Sequence, residues 1–226
     1  AADRGGGLAI DGAGFRVTRA VVTENSGDIG GGLAAYGICG NCDANLLQDV
    51  QFVANRATDG AGWYTEVDLT AAELVVTDNV ATGRGGGAFV YGGEVNDTFG
   101  AYERNSADVG GGLAWSGRGV LAQASIVGNT ADEGGGLALE SGADLDASQV
   151  TFAGNITGGA VLSGTGGQAS LSTVWFDENT GYSFRVCDQP CTAASAAVDY
   201  LGGCEFPSPG CDEVPGFCAE PVPDCP

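Results

Sequence analysis

One amide residue returns along this chain at a nearly fixed interval. Asn25, Asn55, Asn79, Asn105, Asn129, Asn155 and Asn179 follow one another at spacings of 30, 24, 26, 24, 26 and 24 residues. Each closes a short stretch of strand character, such as VQFVAN (50–55), LVVTDN (74–79), ASIVGN (124–129) and VTFAGN (150–155). Three residues before the Asn stands Val22, Phe52, Val76, Tyr102, Ile126, Phe152 or Phe176. Two before that stands Ala20, Val50, Leu74, Gly100, Ala124, Val150 or Val174. This is the period-two alternation of a half-buried strand, and helical spacing persists nowhere in these segments.

A second landmark follows each Asn. It reads GGGLA at 5–9, 30–34, 110–114 and 134–138, with the variants GAGWY (60–64), GGGAF (85–89) and GGAVL (158–162). A third, more variable stretch, for example VLAQAS (120–125) or ADLDAS (143–148), completes the unit. Three short strands and three turns in one repeat make one coil of a parallel β-helix. A single coil cannot bury its own apolar face, whereas stacked coils share a core. The expected fold is all-β: a right-handed parallel β-helix of about eight coils over residues 1–186. At about 4.8 Å per coil its rod is of order 40 Å long. Stacked Asn side chains are expected to hydrogen-bond up and down the array. Gly is expected at a corner that needs positive φ.

Composition narrows the function classes. The chain has 41 Gly, 29 acidic residues against 8 Arg, and no Lys, His or Met, for a net charge of −21. Collagen's three-residue Gly period is absent, so the Gly serve recurring turns. Such charge repels phosphate backbones and anionic headgroups, so neither nucleic-acid binding nor membrane insertion is expected. Absence of His removes the usual general base and the commonest transition-metal ligand. No cofactor is expected, with Ca²⁺ left open because it takes oxygen ligands. The candidates for it are Asp28, Asp59, Asp108 and Asp132, which precede Gly turns and whose commoner role is to bind turn amides.

The Gly-Gly-(Gly/Ala)-apolar element followed by apolar-x-x-Asn resembles the repeats of polymorphic outer-membrane proteins, which carry GGAI and FxxN elements. The second element is literal at Phe52 to Asn55, Phe152 to Asn155 and Phe176 to Asn179, and GGA is literal at 158–160. The resemblance spans roughly residues 3–180. It implies an extracellular β-helix displayed at a cell surface and acting in adhesion. The repeats run instead into a cysteine-rich tail, so a chain without the autotransporter's C-terminal membrane barrel is expected.

That tail, residues 187–226, is read as a disulfide-rich, Pro- and Gly-containing cap or docking segment. It holds Cys187, Cys191, Cys204, Cys211, Cys218 and Cys225 among seven Pro that exclude regular ladders. Cys39 and Cys42 form a CGNC inside the longest repeat, expected to be a loop-pinning disulfide. Eight Cys without Met point to export into an oxidising compartment. AADRGGGLA (1–9) aligns with TADEGGGLA (130–138), so the chain begins just after a repeat Asn would stand. The expectation is an open first coil that docks on a neighbour, making a head-to-tail fibre.

The function expected from these features is an extracellular structural or adhesive solenoid, not an enzyme, whose partners are further copies of itself or a host surface or polysaccharide. The alternative is a carbohydrate-active β-helix that binds or cleaves polysaccharide. Its acid groups would come from Glu66 and Asp68, Glu94 and Asp97, and Asp144 and Asp146, taken as outward-facing with Arg118 between the last two pairs. The corner residues Glu24, Asp78, Glu103, Arg104, Asp177 and Glu178 are expected to scatter over distant coils.

Overall fold

A computed structural model describes residues 3–37, 45–163, 167–181 and 184–187. They form a parallel β-solenoid with no helix among them. One strip of the surface is an eight-stranded sheet. Its strands are Leu8–Asp11, Leu33–Tyr36, Trp63–Thr65, Ala88–Val90, Leu113–Trp115, Leu137–Leu139, Ala160–Ser163 and Phe184–Cys187. The first seven follow a Gly-rich turn, and neighbouring strands lie parallel, each on that of the previous coil. The remaining two strips begin fused. Arg16–Thr23 and Leu46–Val53 run eight residues around a corner, and later coils split there, as in Glu94–Thr98 and Ala101–Glu103. The seven repeat Asn are joined in one column, which makes six complete laps between Asn25 and Asn179.

Alternation along each strand sends one set of side chains inward. Leu33, Trp63, Ala88, Leu113, Leu137 and Ala160 form one interior file; Phe52, Val76, Tyr102, Ile126 and Phe152 form another, facing it. All of them are buried. Large and small residues share a file, Trp63 beside Ala88 for example, so that the bulk of one lap is accommodated by the next.

Three corners turn the chain in every lap, and all three use the left-handed region. At the Gly-rich corner the residues are Gly5, Gly30, Gly60, Gly85, Gly110 and Gly134, at φ of 61 to 71°. The other two corners are mostly not glycine. Six residues before each Asn stands Arg19, Asp49, Glu73, Phe99, Gln123, Gln149 or Thr173, at φ of 51 to 60°. Immediately before each Asn stands Glu24, Ala54, Asp78, Arg104, Gly128, Gly154 or Glu178, again at positive φ. The glycine pattern therefore reveals one corner and hides two. An L-residue in this region costs about 1–2 kcal/mol, and the ladder on both sides of each corner is what holds it there.

The third Gly of the turn has a different task. At Gly112 a Cβ would come 2.5 Å from the Gly136 carbonyl oxygen, 3.0 Å from Ile126 Cγ2 and 3.1 Å from Asn129 Nδ2. The turn thus packs its bare backbone against the next coil and the Asn column.

Two substitutions of opposite sign follow from these corners. Ala54→Gly relieves the left-handed penalty at a corner where Gly128 and Gly154 already serve, and is expected to stabilise the protein by about 1 kcal/mol. Gly112→Ala is expected to destabilise it by roughly 1–3 kcal/mol through overpacking. Thermal melts of the two variants against the parent check both, and a melting temperature lowered by Ala54→Gly refutes the corner account.

Candidate functional surfaces

The Asn column is built from both halves of the apolar-x-x-Asn element. Each Asn side chain donates through Nδ2 to the Oδ1 of the Asn in the next coil, at 2.8–3.1 Å. That Oδ1 also accepts the main-chain N–H of the same donor residue, at 2.9–3.0 Å. From Asn55 onward the second Nδ2 hydrogen goes to a carbonyl of the previous coil. The acceptors are Val22, Phe52, Val76, Tyr102, Ile126 and Phe152, at 2.8–2.9 Å. Each interior amide therefore has two donors and two accepted bonds satisfied, which is what lets Asn55, Asn79, Asn105, Asn129 and Asn155 be fully buried. Asn25 and Asn179 close the column and are half-buried. The column is directional. Among the described residues, Oδ1 of Asn25 accepts nothing and the main-chain N–H of Asn179 donates to nothing.

The coil that carries Asn25 also bares its interior residues. Leu8 is exposed, and Ile10, Phe15, Val17 and Ala20 are only partly covered, whereas their counterparts deeper in the array are buried.

The acidic groups divide. Glu94, Arg118 and Asp144 stand in register on three successive strands, all exposed, so Arg118 does lie between two carboxylates. Asp146 is exposed one step further along the same strand as Asp144. Asp97 does not join them: it lies inside, fully buried, between Ala71 and Leu121. Residues three apart on a strand face opposite sides, so Glu94 and Asp97 cannot share a surface. Asp68 turns back to accept the main-chain N–H of Glu94, at 2.7 Å. The corner residues are also less scattered than expected. Arg104 bonds Asp78 at 3.0 Å and Glu103 at 3.0 Å, and its guanidinium holds the Asp78 carboxyl below the usual carboxylate range.

Asp97 accepts a 2.5 Å hydrogen bond from the Tyr102 hydroxyl through Oδ2, while its Oδ1 has no partner among the described residues. Burial pushes its carboxyl up to about 6, and the Tyr102 bond opposes that rise.

Of the corner aspartates, Asp28 accepts the main-chain N–H of Asp3 at 3.1 Å and Asp59 that of Arg84 at 2.8 Å. Asp28, Asp108 and Asp132 stand two residues before the first Gly of their turns, and Asp59 stands one before. Among the described residues, no three Asp, Glu, His or Cys side chains gather into a group able to hold a metal ion. Cys187 ends the strand Phe184–Cys187 in register with Ser163. Cys39, Cys42, Cys191, Cys204, Cys211, Cys218 and Cys225 lie outside the described residues.

Sequence reasoning overlooked one surface, the outward side of the eight-stranded strip. Its outward file runs Ala34, Tyr64, Phe89, Ala114, Ala138 and Val161, so an aromatic pair replaces the usual small residue in two coils. The GAGWY and GGGAF variants carried that signal. Phe89 stands edge-on to Tyr64 and to Tyr91, with centroids 5.6 Å apart in each case. Beyond them a groove of about 550 Å³ is lined by Arg84, Tyr91, Ser116, Glu140, Ser141 and Ser163. Arg84 Nε reaches Glu140 Oε1 at 2.7 Å, two coils away, and the carboxylate raises the guanidinium's already high pKa.

No family model, curated protein or solved structure matches this chain.

Two outcomes test these assignments. Asn105→Ala removes four hydrogen bonds (to the Asn79 main-chain N–H and Nδ2, the Val76 carbonyl and Asn129 Oδ1, the last of which keeps the main-chain N–H of residue 105) and is expected to cost about 3 kcal/mol or more. Asn25→Ala at the half-buried end is expected to cost about 1 kcal/mol, and equal losses in urea titrations would contradict the buried ladder. For Asp97 the folded-state pKa lies above the ordinary 3.8. Its penalty is absent below pH 4 and grows as pH rises toward 6, on the order of 3 kcal/mol. Asp97→Asn is expected to gain stability over the parent across that interval, and a constant difference between the two from pH 4 to 7 refutes it.

Proposed function

We propose that this chain is an extracellular structural and adhesive subunit: a right-handed solenoid of about eight coils, of the polymorphic outer-membrane protein repeat type, assembling head to tail with its cysteine-rich tail as a docking segment at the junction. The observation that carries the assembly is the polarity of the Asn column. Among the described residues, one end offers an unused acceptor, Asn25 Oδ1, and the other an unused donor, the Asn179 main-chain N–H. A second copy stacked in the same direction continues the hydrogen-bond pattern with no new chemistry. The half-covered Leu8, Ile10, Phe15, Val17 and Ala20 supply apolar surface for the same junction. Because the two surfaces differ, the contact is heterologous and does not close on itself, so it propagates as a filament. The charge of −21 keeps filaments apart laterally while leaving their ends to meet.

Export fits the eight Cys and the lack of Met. The second reading, polysaccharide recognition, draws support from the aromatic groove on the eight-stranded strip. Catalysis draws less: Arg118 sits between Glu94 and Asp144, but all three stand exposed on one strand surface.

Negative-stain imaging of the full chain at rising concentration is expected to show filaments of single-rod width. Leu8→Glu combined with Asn25→Ala, which puts a charge on the bared end and removes its acceptor, is expected to leave short rods. Isolated rods from the parent chain at every concentration would end the assembly reading.

A further inference from the structure

Two ion pairs on the eight-stranded strip are copies of one arrangement. Arg4 immediately precedes its Gly turn and reaches Glu66 Oε1 at 3.2 Å, across the intervening coil. Arg84 immediately precedes its own Gly turn and reaches Glu140 Oε1 at 2.7 Å, again across one intervening coil. The residue spanned differs. Under the first clamp stands Tyr36, with the Arg4 guanidinium 4.5 Å from its ring centroid. Successive main-chain bonds (Tyr91 to the Thr65 carbonyl, Ser116 to the Val90 carbonyl, Glu140 to the Trp115 carbonyl) put Ser116 at the matching place under the second. A ring is thus present in one clamp and replaced by a hydroxymethyl group in the other. The groove of about 550 Å³ opens there.

We infer that the Arg84–Glu140 clamp takes a neutral saccharide, one pyranose ring occupying the place that Tyr36 fills under Arg4. The walls match that chemistry. Ser116, Ser141 and Ser163 line the groove with hydroxyls, and Tyr91, 59% exposed, presents a ring face at its edge. Tyr91 is braced by Tyr64, stacked at 6.3 Å, and by Phe89, so the platform is held before a ligand arrives. Arg84 uses Nε on Glu140, which leaves its terminal nitrogens as donors, and Glu140 keeps Oε2 as an acceptor. Donors and an acceptor side by side suit neighbouring sugar hydroxyls, each of which both gives and takes a hydrogen bond. Glu140 neutralises Arg84, and the surrounding charge is strongly negative, so acidic sugars are disfavoured. From Tyr91 to Ser163 the groove crosses three coil spacings, about 14 Å, the length of roughly three sugar rings.

The inference rests on the adhesive half of the proposed function and is independent of filament assembly. The test is isothermal titration of the full chain with neutral cello-, malto- and xylo-hexaoses. Hexagalacturonate and a tripeptide with a central Trp serve as the acidic and peptide-ring probes. At least one neutral hexaose is expected to bind. Tyr91→Ala is expected to weaken it about tenfold or more. Ser116→Tyr, which copies the Tyr36 arrangement, is expected to abolish binding with the melting temperature kept. Binding of none of the neutral sugars, binding of only the acidic or peptide probe, or a Ser116→Tyr protein that binds like the parent each overturns the site. Imaging the parent chain alongside separates the two readings: a parent that forms filaments yet binds none of the neutral hexaoses refutes the groove and leaves assembly standing.

Discussion

A hydrogen bond between identical side chains, repeated coil after coil, is the interaction on which this architecture depends. Burying an amide in an apolar interior costs several kcal/mol unless each of its polar atoms is matched. Asn resolves this by carrying donor and acceptor together, so that each copy satisfies the next. Its second hydrogen goes to the carbonyl of the apolar residue in the coil before. The pairing of the apolar position with the Asn three residues later is thus one device: the former gives a carbonyl to the coil after it, the latter takes one from the coil before. Aspartate lacks the donor and leucine lacks both, so neither continues the column.

The column also explains why costly backbone recurs. Left-handed residues precede every Asn and stand six residues before it, and in most coils they are not glycine. Such strain persists where the surroundings over-determine it. Here the surroundings are the amide column on one side, a parallel strand partner on the other, and a filled interior between. The Gly-rich corner answers a different demand, since its bare backbone lies against the neighbouring turn and no side chain fits.

With the interior and corners committed, variation is confined to outward positions, and there the laps differ most. The same Arg-to-Glu clamp occurs twice, once around Tyr36 and once around Ser116, and that single exchange separates a filled surface from an open groove. Acidic side chains occupy much of the remaining outward surface. In such a protein recognition is written on a scaffold that does not change to accommodate it.

The parallel solenoid, the inward files and the lap length were legible in the sequence because they arise from periodicity: Asn25 to Asn179 recur in step, and every strand alternates around them. The resemblance in motif pointed to the same architecture. What the repeat does not encode is which residues from different laps meet. Asp97 reads as an outward partner of Glu94 until its parity and its place between Ala71 and Leu121 put it in the core. Arg104 finds Asp78 a whole lap away, and Arg84 finds Glu140 two laps away. Those meetings depend on register between coils, and stacking fixes register at about 4.8 Å per lap, whatever number of residues lies between. Periodicity is a local property that one strand of text displays. Juxtaposition across laps exists only once the laps are laid on one another.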